Sequence, residues 1–109
     1  MAFDESLADR IRAGLRRKKG IEEKKMFGGL GFLLNGAMLV GVWKDSMIVR
    51  IGPDGHEVAI LEANVKEFDI TGKPMKGWVL IEPAGVQNDL QVKAWIQRAL
   101  KFVAKLLAK

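Results

Sequence analysis

The dipeptide Asn35-Gly36, set between the apolar runs 30–34 and 37–44, constrains this chain more than any other feature. A two-residue reversal between right-twisted strands needs positive φ at both positions, and Asn followed by Gly adopts it at little cost. The spacing therefore predicts a hairpin. Leu30, Phe32 and Leu34 alternate onto one face of its first strand. On the second, Met38, Val40 and Val42 fall on one face and Leu39, Gly41 and Trp43 on the other. A second tight turn at Asp45-Ser46 leads into residues 47–51, giving a three-stranded meander from about Met26 to Ile51.

Helices flank this sheet. Asp4 is a suitable N-cap, with Glu5 at the positive end of the helix dipole. Phe3, Leu7, Ile11 and Leu15 repeat every four residues and make one apolar stripe that ends near Arg17. Gly14 lies on that stripe, where it permits close approach of a neighbour. Gly52-Pro53-Asp54-Gly55 stops the third strand and opens a short helix over 54–62, with Val58 and Leu61 predicted to face the core. Residues 65–70 are irregular or briefly extended, Thr71-Gly72-Lys73-Pro74 is a turn, and 77–81 is a buried strand. Asn88 and Gln91 form a capping-box pattern for a final helix over 89–107. Its apolar arc is broad, so it packs on the sheet and also on either the first helix or a second copy of the chain. These elements predict a two-layer α+β fold: an antiparallel sheet of about four strands against N- and C-terminal helices, in a single domain over 1–109.

Composition narrows the chemistry. The 109 residues include no cysteine, which excludes disulfides, thiolate nucleophiles and cysteine-based metal sites. The acidic N-terminus lacks the apolar core of a secretory signal, and no apolar run is long enough for a membrane span. A cytoplasmic protein with no membrane partner is expected. His56 is the single histidine and has no ligand set around it, so it reads as a solvent-facing helix residue. The acidic residues cluster at helix starts, where capping explains them, and no catalytic acid–base pair stands out. Gly28-Gly29-Leu30-Gly31 precedes a strand and not a helix, unlike a phosphate-binding loop. Its glycines read as structural, and no cofactor is expected.

Two surfaces remain. The formal charge of +5 is concentrated at Arg10, Arg12, Arg16, Arg17, Lys18, Lys19, Lys24 and Lys25. A phosphate-backbone contact is one reading of Arg12, Arg16, Arg17, Lys18, Lys19, Lys24 and Lys25; cations near a helix C-terminus, favoured by the dipole, are the other. The loop Lys73-Pro74-Met75-Lys76-Gly77 has no packing reason for its two lysines and makes Lys73, Met75 and Lys76, together with Arg50, a candidate partner surface. Trp43, Trp78 and Trp95 are spread as core or interface anchors.

Four stretches together carry a resemblance: Lys25-Met26-Phe27-Gly28-Gly29-Leu30-Gly31-Phe32; Asn35-Gly36; Val49-Arg50-Ile51-Gly52-Pro53; and Phe68 through Thr71-Gly72-Lys73-Pro74-Met75-Lys76-Gly77-Trp78. In order and spacing they resemble the N-terminal domain of the TfoX/Sxy competence-regulator family, over most of the chain. The resemblance implies a bacterial α+β domain with no catalytic residues. Longer members resemble transcriptional coactivators and carry a second, helical domain. The function it implies is regulatory, through protein contacts with the transcription machinery. The alternatives from the residues themselves are sequence-nonspecific nucleic-acid binding through the basic cluster and, more remotely, an enzyme acting on a phosphorylated small molecule held by Arg50 and Lys76. A homodimer through the last helix is a further partner expectation.

Overall fold

Asp4 caps the first helix as expected, its carboxylate accepting from the backbone N–H of Ser6 and Leu7 at 2.9 and 3.2 Å. The helix, α1, spans Glu5–Leu15 and buries Leu7, Ala8, Ile11 and Leu15. It ends two residues before the predicted limit, and Phe3 lies outside it, in a bridge to Lys44. The computed structural model describes residues 3–26, 28–68 and 76–108. Within them follow β1 (Ile21–Met26), β2 (Gly29–Leu34), β3 (Ala37–Trp43), β4 (Ser46–Arg50), α2 (Pro53–Ala59), β5 (Val65–Glu67), β6 (Trp78–Ile81) and α3 (Asp89–Leu107).

The sheet has six strands in the order β1-β2-β3-β4-β6-β5, and every neighbouring pair is antiparallel. Four strands was too few. The strand absent from the prediction is β1, whose sequence Ile-Glu-Glu-Lys-Lys-Met carries no apolar alternation. It is an edge strand, and charge there discourages pairing with other chains. The brief extended segment anticipated after residue 65 is the opposite edge, β5.

The Asn35-Gly36 hairpin forms with φ of 49° and 88° at its two turn residues, as a left-handed two-residue turn requires. The next turn is Lys44-Asp45, one residue earlier than predicted, with Trp43 opposite Ser46. A bulge corrects the facing of β3. Phe32 pairs with Val40 but Leu33 pairs with Met38, so Leu39 is an extra residue on β3. An inserted residue reverses alternation on one side of it. Leu39 therefore joins Val40 and Val42 in the core, fully buried, while Met38 turns to the opposite face, where its methyl would lie 3.2 Å from a Cβ at Gly41.

All three helices contribute to one core against one face of the sheet, with α3 packed on β3, β4 and α1. α3 begins with the predicted capping box between Asn88 and Gln91. Gly14 serves the expected close approach: a Cβ there would stand 2.7 Å from Ile96 Cδ1 on α3. Two assignments around α2 reverse. Val58 and Leu61 are 65% and 84% exposed and do not face the core, whereas His56 is buried and does not face solvent. Starting the helix at Pro53 sets its phase so that His56 and Ala59 point inward. Among the described residues, no helix is long and apolar enough to cross a membrane.

Candidate functional site

Two of the sequence stretches singled out above meet at one corner of the sheet. β4 ends at Arg50 and β6 begins at Trp78, and these two residues are cross-strand partners. Just beyond, the carbonyl of Gly77 accepts from the N–H groups of both Ile51 and Gly52, at 2.9 and 3.0 Å. A Cβ at Gly77 would lie 3.1 Å from the carbonyl carbon of Gly52, so the two backbones touch because neither has a side chain. Gly52 sits at φ 86°, and a Cβ on it would overlap the ring of Phe102 from α3. The junction is sealed by α2: the Gly77 N–H donates to Nδ1 of His56 at 3.0 Å, and His56 Nε2 lies 3.9 Å from Glu67 Oε1 on β5. His56 is thus a positioning residue that joins α2 to both strands at the sheet's end.

Arg50 stands on this junction. Its guanidinium carbon is 5.2 Å from the Trp78 ring centroid and 5.6 Å from that of Phe102, both within cation–π reach. Trp78 is in turn braced by Phe68, with ring centroids 6.4 Å apart and tilted by 42°. One nitrogen of Arg50 donates to the Met38 carbonyl at 3.4 Å. Among the described residues no carboxylate lies within ion-pair distance of Arg50. A guanidinium has five N–H donors in a rigid plane, and among the described residues only the Met38 carbonyl accepts from this one. The arrangement offers a half-buried, orientationally fixed cation to an external carboxylate or phosphate. Lys76 is exposed beside it, one residue before Gly77. Lys73 and Met75, and the turn predicted at 71–74, lie outside the described residues.

The basic cluster does not stay together. Arg12 is spent within the fold: its Nε and Nη2 grip Glu23 of β1, both at 2.8 Å, and its Nη1 reaches Asp9 at 2.7 Å. The hydrogen bonds to Glu23 raise the Arg12 pKa, and the same contacts hold the Glu23 carboxyl below its usual range. Arg10 donates to the carbonyls of Val86 and Gln87 and lies 4.0 Å from Asp89, tying α1 to the start of α3. Strand alternation from Glu23 sends Lys24 to the face away from the helices and Lys25 to the helix side. Arg16, Arg17, Lys18 and Lys19 remain exposed beyond the end of α1. Among the described residues, no group of three or more His, Cys, Asp or Glu side chains is placed to hold a metal ion.

What the sequence left unseen is the geometric reason for its own motif. Gly52-Pro53 and Lys76-Gly77-Trp78 are separated by a crossover through α2 and β5, and only the strand order β4-β6-β5 brings them into contact. Phe102 and His56, which complete the corner, carry no local signal beyond periodicity. Against known proteins, a family model described as the TfoX N-terminal domain matches residues 13–103. No curated protein and no solved structure matches.

Proposed function

Because the chain belongs to the TfoX N-terminal domain family, a regulatory and competence-related family, we propose that it is a binding domain that regulates transcription through protein contacts made at the Arg50 corner. One observation carries this reading. In the segments that meet at the corner, close packing accounts for Gly52, Gly77 and Trp78, whereas Lys76 is exposed and the charge of Arg50, seated on its two rings, meets no carboxylate among the described residues. Arg50 is held by two aromatic rings with no carboxylate partner among the described residues, while Arg10, Arg12 and Arg98 all reach one. A cation fixed in this way gains most from a carboxylate delivered by another molecule, and Arg flanked by aromatic groups is a common anchor of protein interfaces.

Comparative pull-down from a bacterial lysate tests the reading. The wild-type chain should enrich an activator or a subunit of the transcription machinery, and Arg50→Gln should reduce that recovery at least fivefold while keeping the wild-type circular dichroism spectrum. Equal recovery on both baits would remove the corner from the mechanism.

A further inference from the structure

We infer that the exit of α1 and the row of cations along α3 form a second interaction surface, one that binds the phosphate backbone of a nucleic acid. The two helices run side by side in the same direction. Arg10 meets residues 86–89 at the start of α3, Gly14 lies against Ile96 and the stem of Lys93, and Lys18 shares a cleft with the C-terminal half of α3. That cleft is open, about 540 Å³ in volume, and is lined by Lys18, Gln97, Arg98, Leu100, Lys101 and Ala104. Cations from sequence positions more than 80 apart therefore become neighbours.

Charge is one-sided there. Residues 10–21 and 90–109 contain no Asp or Glu, and none of the ion pairs among the described residues involves Arg16, Arg17, Lys18, Lys19, Lys93, Lys101 or Lys105. Within these stretches the arginines that reach a carboxylate are Arg10, Arg12 and Arg98, the last on Glu62 at 2.8 Å. The helix dipole does not account for the pattern, because its effect fades beyond the last turn. Lys105 is in the last turn of α3, but Lys93 and Lys101 are well before it, and Lys18 and Lys19 lie past the end of α1.

Shape favours a linear polyanion. Lys93, Lys101 and Lys105 follow four-residue steps along α3, with Gln97 at the remaining step. At 1.5 Å per residue that row is about 18 Å long, the axial length of roughly five phosphates of one strand. Lys18, just past the end of α1, shares the cleft with Lys101 of this row. The surface carries no interleaved aromatic side chains, so it grips backbone and not bases.

The test is fluorescence anisotropy of a labelled 20-base-pair duplex titrated with the full chain between 50 and 200 mM NaCl. With about four phosphates neutralised, the log–log salt slope should be near −3.6, a loss of about 150-fold in affinity over that range. Lys18→Glu/Lys101→Glu should weaken binding at least tenfold at 50 mM. Lys44→Glu/Lys66→Glu, the same charge change elsewhere, should weaken it less than threefold. Absence of binding by the folded wild-type chain at 50 mM, or equal losses in the two double variants, overturns the inference. Binding to phosphatidylglycerol vesicles without binding to the duplex overturns it as well. Because the Arg50 corner is untouched by Lys18→Glu/Lys101→Glu, protein recovery by that variant separates this surface from the other.

Discussion

Replacing His56 isolates the contact that holds the Arg50 corner together. The imidazole is 5% exposed, and its Nδ1 accepts the Gly77 N–H, so the neutral ring carries its proton on Nε2, toward Glu67. His56→Leu retains much of the volume but leaves the Gly77 N–H buried without an acceptor, which costs about 1–3 kcal/mol. His56→Ala adds a cavity and should cost about 2–4 kcal/mol. His56→Asn returns an amide oxygen near the position of Nδ1 and should recover about 1 kcal/mol relative to Ala. A domain of this size has about 5–15 kcal/mol in total, and each kcal/mol shifts Tm by roughly 4–8 °C. Thermal and urea unfolding at pH 7.5 should therefore rank wild type above Asn and Asn above Ala, with Leu at least 4 °C below wild type. A Leu variant as stable as wild type, or an Asn variant no better than Ala, would refute the hydrogen-bond argument. The two substitutions separate acceptor from volume, so each failure points to a different error.

Other consequences follow from the same geometry. Gly52→Ala places a Cβ into the Phe102 ring at a backbone angle that disfavours it, and urea unfolding should show a loss of about 2–4 kcal/mol. Arg12 holds the Glu23 pKa down, so the pair stabilises the fold above the ordinary carboxylate range, and that contribution disappears as pH falls through the lowered value. Both side chains are more than a third exposed, so Glu23→Gln should cost at most about 1 kcal/mol at pH 7, less in 0.5 M salt, and nothing once the carboxyl is protonated. Leu61→Asp should change stability by less than about 0.5 kcal/mol in the same assay, because the side chain is 84% exposed.

Local chemistry made much of this fold legible. Asn35-Gly36, the Asp4 cap and the Asn88–Gln91 box each specify their own geometry within four residues, and each is realised. What escaped depended on partners distant in sequence. β1 is a strand because it pairs with β2 and because Arg12 reaches across to Glu23; its own residues alternate nothing apolar. Leu39 enters the core through a bulge, which single-strand alternation does not encode. His56 looked like a surface residue because it lacks neighbours in sequence, yet the crossover of α2 brings it to Gly77. At the site, Lys76 was visible as a residue without a packing role and Arg50 as a candidate contact, and the aromatic setting of Arg50 by Trp78 and Phe102 was not, since it depends on how α3 packs beside β4. The basic cluster was legible only as composition. Its division, with Arg10 and Arg12 used internally and Lys18 brought beside α3, follows from helix packing.

A protein partner seated on the Arg50 corner would lie within reach of a side chain at position 76. Site-specific photocrosslinking in living bacteria tests it most directly, with the photoreactive residue at position 76 and, as a control, at the exposed position 58. The expected result is a discrete adduct from position 76 to one component of the transcription machinery, absent from position 58 and abolished by Arg50→Gln. No adduct at position 76, or an adduct indifferent to Arg50, would contradict it.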